Sequence, residues 1–112
     1  MPSGLSSIDK TIRAAIADRR LVSFDLGGYP RIGEPHDYGV INGVAKLLFY
    51  QVGGQSSSGR PVGWREAVIS KVSKIEVLQR RFAGPRPAPS GRHKKWDKLI
   101  ASVSTRSSQD GD

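Results

Sequence analysis

The dipeptide Asn42-Gly43 most constrains what this chain can fold into. Both residues tolerate positive φ, as the type I′ turn of a tight β-hairpin requires. The flanks agree. Residues 36–41 read as one strand, and residues 45–52 as the next. Leu47, Leu48, Phe49 and Tyr50 are apolar without a break, so both faces of that strand should be covered. An N-terminal helix is the expected cover for the second face.

The rest of the pattern is built around this hairpin. Residues 21–26 alternate, with Val22, Phe24 and Leu26 on one face of a half-buried strand. Gly27-Gly28 makes a turn. The strand 29–34 is expected to stop at Pro35, which cannot donate to a ladder, and Pro30 suggests a sheet edge. Residues 53–60 are Gly/Ser-rich and read as a mobile loop. Two more strands follow over 62–69 and 74–78, with a single helical turn at 70–72 between them. Strands this short and closely spaced predict a small barrel.

Helices are expected at both ends. Ile8, Ile12, Ala15 and Ile16 recur at helical intervals, and Ser6 and Asp9 have capping-box spacing, which predicts a helix over 7–20. Lys10, Arg13 and Arg20 fall on its wet face, and Arg19-Arg20 suits its C-terminal dipole. Pro85, Pro87 and Pro89 mark an extended linker. Beyond it Trp96, Leu99, Ile100 and Val103 follow i, i+3, i+4, i+7, the pattern of an amphipathic helix. The expected fold is therefore mainly β with flanking helices: a small SH3-like or Sm-like β-barrel, an N-terminal helix and a C-terminal amphipathic helix. The divisions are a disordered start over 1–7, the barrel domain over 8–83, the proline-rich linker over 84–91, the basic helix over 92–104 and a disordered tail over 105–112.

Bulk properties narrow the function classes. A chain of 112 residues suits one domain. It has no cysteine, which excludes disulfides, thiolate catalysis and cysteine-ligated zinc. No apolar run is long enough to span a bilayer, and the first seven residues lack the basic start and apolar centre of a signal peptide. A cytoplasmic protein is expected. The net charge is +8, which favours polyanionic partners. The charge is uneven: residues 80–98 carry +6 and residues 1–79 carry +3. Such a block otherwise serves as a solvated tail that keeps a protein soluble.

From Ile8 to Phe82 the chain resembles the WYL domain family of bacterial regulators. Ala15-Ile16-Ala17-Asp18-Arg19-Arg20 matches a helix ending in Ala-Ile-x-x-Arg-Arg before a strand. Arg31-Ile32-Gly33-Glu34-Pro35 matches an Arg-x-x-x-Pro element. Leu47-Leu48-Phe49 stands where the family has its naming triplet, with both Trp and Tyr replaced. Arg65 introduces Ile69-Ser70-Lys71-Val72, with Lys71 where the family has Arg, and Ile75-Glu76-Val77-Leu78 follows. Family members sit behind a winged-helix DNA-binding domain, and this chain is too short to hold one. The resemblance implies an Sm-like barrel that binds nucleic acid or a nucleotide-like effector through basic residues, with no chemistry or cofactor of its own.

The candidate binding residues follow. Arg31, Arg65 and Lys71 match the family's basic positions. Arginine offers a planar fork suited to phosphate, lysine a point charge. Rim salt bridges with Glu34 or Glu66 would explain the same residues. Trp64 either stacks a base or belongs to the core. Tyr38 and Tyr50 fit stacking platforms less well than half-buried strand aromatics. Arg80, Arg81, Arg92, Lys94, Lys95 and Lys98 supply the C-terminal basic arm. The glycines at 53, 54 and 59 lack the Lys-Ser/Thr of a phosphate loop. His36 and Asp37 beside Glu34 form the best enzymatic constellation, but His93 is distant in sequence and no metal site is expected.

The expected function is a non-catalytic, transcription-regulator type module that binds nucleic acid or a nucleotide-like ligand. The alternative is a protein-interaction or assembly module that docks through the Trp96 helix, onto a protein partner or a second copy of the chain, without specific anion binding.

Overall fold

The computed structural model describes residues 4–54, 62–86 and 96–103. The order is helix α1 (Gly4–Asp18), then strands β1 (Arg20–Leu26), β2 (Tyr29–Ile41), β3 (Val44–Gly54) and β4 (Gly63–Val68). A 3-10 turn (Ile69–Lys71) leads into β5 (Val72–Arg81), and β6 (Lys98–Ser102) comes last. The fold is mainly β, with one antiparallel sheet in the order β4-β3-β2-β1-β5, and β6 added to β2. The expected turn at 70–72 is present one residue early.

The hairpin lies where the sequence places it. Asn42 and Gly43 have φ of 52° and 76°, and β2 pairs with β3 from Ile41 and Val44 outward. Phe49 and Leu47 are fully buried and Phe24 meets Phe49 edge-on at 5.1 Å. α1 packs across β2, β5 and β6. Its stripe of Ile12, Ala15 and Ile16 enters the same core as Leu21, Val22, Ala67, Ile69 and Val103. Burial of each large aliphatic side chain is worth about 1.5–3 kcal/mol, so this shared cluster is what fastens the helix to the sheet.

Four expectations are corrected. The sheet is not closed into a barrel. Among the described residues, β4 pairs only with β3, and β5 only with β1, at opposite ends of the strand order. The three-residue turn between β4 and β5 carries the chain across the sheet and does not make a hairpin. Next, Pro35 does not end a strand. It lies inside the thirteen-residue β2, buried, at a break in register where Pro35 faces Phe49 and Asp37 faces Leu48. His36 is the extra residue of that bulge, where a missing N–H is tolerated. Third, α1 begins at Gly4, so Ser6 lies within it and not at its N-terminal boundary. Arg20 belongs to β1, and Arg19 takes the left-handed conformation (φ 55°) that ends the helix.

Finally, residues 98–102 form strand β6 where a helix was expected. They pair antiparallel with β2 from Asp37 to Val40. The reason is tertiary. β1 leaves β2 at Gly33, so the second half of β2 offers an unpaired edge. A strand there satisfies backbone groups on both partners. Gly39 permits the close approach: a Cβ at that position would overlap the Lys98 carbonyl and the Trp96 ring. Of the expected loop over 53–60, Gly53 and Gly54 belong to β3, and residues 55–60 lie outside the described residues, as do residues 92–95, with Arg92, Lys94 and Lys95, and the tail over 105–112.

Candidate functional site

β2 carries two polar clusters. The first lies beside the β1–β2 turn, in a cleft of about 370 Å³ lined by Leu26, Tyr29, Arg31, Glu66, Val68 and Lys71. Arg31 is buried, with 7% of its surface exposed. Its Nη1 donates to Gln51 Oε1 at 3.1 Å, and its Nη2 makes a long contact of 3.5 Å with the Leu26 carbonyl. Its Nε is buried with no partner. Burial depresses its pKa, and the charge of Arg65 depresses it further. A buried guanidinium close to a second cation is a poorly compensated charge. Tyr29, partly exposed, has its ring 5.9 Å from the Arg31 guanidinium.

Two of the expected site residues therefore line the cleft from distant parts of the chain, Arg31 on β2 and Lys71 in the 3-10 turn, while Arg65 on β4 lies on the other face of its strand from the lining Glu66 and Val68 and reaches Arg31 through its charge. Lys71 is exposed at the cleft. Arg65 is half-buried and also donates from Nη1 to the Trp64 carbonyl at 3.1 Å. Glu66 lines the cleft too and pairs with Lys46 at 3.4 Å.

Trp64 does not join this group. Neighbouring side chains on a strand point to opposite faces. Arg65 shares a face with the core residue Ala67, while Trp64 packs edge-on against His36 and Tyr50 at centroid distances of 4.8 and 5.5 Å. Tyr38 is buried and donates to Asp9 Oδ1 at 2.6 Å, and burial together with this bond pushes its hydroxyl pKa up. Arg80 and Arg81 are exposed on β5, and Arg81 pairs with Asp18 at 3.1 Å. Lys98 is exposed on β6, opposite Val40.

The second cluster surrounds the bulge at His36 and went unanticipated as a unit. Glu34 receives both Nε and Nη2 of Arg86, at 2.6 and 3.0 Å. The Arg86 guanidinium also stands 4.1 Å over the Tyr50 ring. His36 is fully buried and stacks on Phe82 at 5.4 Å. Farther along β2, Ser102 donates to the buried Asp37 carboxylate at 2.6 Å. No sequence pattern links positions 34, 36 and 86, because an irregular segment brings Arg86 back to β2. The His36, Asp37 and Glu34 constellation is thus filled by protein partners. Among the described residues, no group of three or more His, Asp or Glu is placed to hold a metal. No described helix is long and apolar enough to cross a membrane.

No family model, curated protein or solved structure matches this chain.

Proposed function

We propose that the protein is a non-catalytic module that binds a phosphate-bearing ligand, nucleic acid or nucleotide-like, at the cleft of Arg31 and Lys71 with Arg65 nearby. One observation carries the reading: Arg31 and Lys71, from separate elements, line one cleft, and Arg31 is buried there with its Nε unpartnered and under the charge of Arg65. An anion there would supply the missing acceptor and offset the repulsion between Arg31 and Arg65. The WYL-like order of basic positions agrees with this use. The exposed Arg80, Arg81 and Lys98 add a sequence-independent attraction that positions a polyanion without specifying it. The alternative, an assembly module built on Trp96, has no comparable convergence, because the Trp96 ring lies over Gly39 of β2.

The test is a titration of a fluorescent single-stranded oligonucleotide, and separately of a mononucleotide, at several salt concentrations. Arg65→Ala and Lys71→Ala should each weaken binding by about tenfold, the size of one charge-assisted contact. For the oligonucleotide each should also lower the slope of log affinity against log salt by about 0.7. Unchanged affinity in both variants would remove the cleft from consideration.

A further inference from the structure

Along β2, β1 pairs as far as Gly33 and β6 begins at Asp37. Residues 34–36 have neither strand beside them. The segment 82–86 covers this gap. Its start is tied to the end of α1: the Phe82 N–H donates to the Arg19 carbonyl at 2.9 Å, and Arg19 Nη1 donates to the Ala83 carbonyl at 3.1 Å. Its end is tied to β2 through Glu34 and His36.

The histidine contact depends on protonation state. His36 Nδ1 lies 2.9 Å from the Glu34 carbonyl, which can only accept, so Nδ1 carries the proton. His36 Nε2 lies 3.1 Å from the Arg86 backbone N–H, which can only donate, so Nε2 must be a bare lone pair. The neutral Nδ1–H tautomer alone satisfies both. A proton added at Nε2 would point at the Arg86 N–H and place a cation in a fully buried site beside the Arg86 guanidinium.

We propose that residues 82–86 form a strap latched to β2 by the neutral imidazole of His36, and that protonation of His36 releases it.

The charged groups around the ring are Glu34 and Asp37 on β2 and Arg86 on the strap. The two carboxylates and the Glu34 carbonyl favour the imidazolium, but burial first and Arg86 second oppose it, and the balance lies below the ordinary histidine value. Trp64 from β4 and Phe82 from the strap complete the packing without a titrating group. Arg19 holds the other end of the strap. Opening therefore takes up one proton and becomes easier as pH falls below 6.5, the ordinary histidine value. Trp64 packs on the ring at 4.8 Å, so strap opening also reaches β4. The strap itself does not depend on what the cleft binds.

The experiment is amide hydrogen exchange by NMR on the full chain between about pH 7.5 and 4.5, referred to intrinsic rates, with the His36 ring followed in parallel. A His93→Gln variant assigns the two histidine signals. Protection at Arg86 should fall by up to about tenfold per pH unit below 6.5 until His36 titrates, while the β2–β3 amides stay protected. His36→Gln, which offers a carbonyl near the Nε2 position, should hold the strap without pH dependence. If that variant does not fold, the wild-type titration decides alone. Constant protection at Arg86 while His36 titrates would overturn the proposal. So would simultaneous loss of protection at Arg86 and across β2 and β3, which would mean global unfolding.

Discussion

Arg31 and Glu34 lie three residues apart on one strand, both nearly buried, and their surroundings differ in kind. Glu34 meets a bidentate arginine that also rests on an aromatic face. Arg31 meets a neutral amide, a long carbonyl contact and the field of another arginine. A saturated buried charge holds structure together. An under-compensated one stores an affinity that a ligand can use, because the cost of burying it has been met by the rest of the fold. The contrast separates a saturated end of β2 from an under-compensated one, the end proposed to bind.

The most severe way to test the structural end is to remove what completes it. A chain ending at Arg86 would lose β6, the buried Val103 and the Ser102 bond to Asp37. A buried valine at about 1.5–3 kcal/mol and a bond to a buried carboxylate at about 1.5–3 kcal/mol predict a combined loss of about 3–6 kcal/mol. Urea unfolding of the two chains measures it, and equal midpoints would show that β6 only rests on the sheet.

A narrower cut is Glu34→Gln. Breaking a fully buried ion pair costs about 3–5 kcal/mol. The Arg86 side chain is 43% exposed, so solvent screening reduces the expected loss to about 1–2 kcal/mol. A double-mutant cycle with Arg86→Met should recover most of this as coupling.

A smaller loss should follow pH. The folded-state pKa of His36 is lowered, chiefly by burial, so the folded chain binds fewer protons than the unfolded one near pH 6. Its contribution to stability is complete above 6.5 and is lost as pH falls through the lowered folded value. Denaturation midpoints measured on both sides of that range should show this slope in the wild type and a weaker one in His36→Gln.

The smallest effect on folding belongs to the under-compensated end. Arg31→Met removes an under-compensated cation and keeps the apolar stem, so stability should change by no more than about 0.5–1 kcal/mol in either direction. The same substitution should cost about tenfold or more in oligonucleotide or nucleotide affinity. A large loss of stability with unchanged binding would assign Arg31 to the structural class and dissolve the contrast.

What was legible in the sequence was local. Asn42-Gly43 requires positive φ wherever it sits, so the hairpin could be read directly. Alternation at Val22 and Phe24 and the helical spacing of Ile12, Ala15 and Ile16 are properties of neighbouring residues, and their elements appear with shifts of a few residues at the ends. The basic positions Arg31, Arg65 and Lys71 were readable as residues. That Arg31 and Lys71 share one cleft, with the charge of Arg65 reaching Arg31, depended on where the 3-10 turn and β4 lie against β2.

Tertiary structure decided the rest, for a common reason: each outcome was set by what lay across from a segment. Residues 98–102 match a helical stripe, yet an open edge on β2 made a strand the way to satisfy more backbone groups. Pro35 forbids an ordinary ladder position, yet a bulge accommodated it and turned His36 into the extra residue. Trp64 and Arg65 are adjacent in sequence, and the strand sent one toward His36 and the other toward Arg31. The sequence by itself determined the hairpin, the amphipathic helix and the basic inventory, because those follow from local stereochemistry and composition. Only the tertiary structure decided that the sheet stays open, that the last segment is a strand, and that one buried charge on β2 is saturated while its neighbour is not.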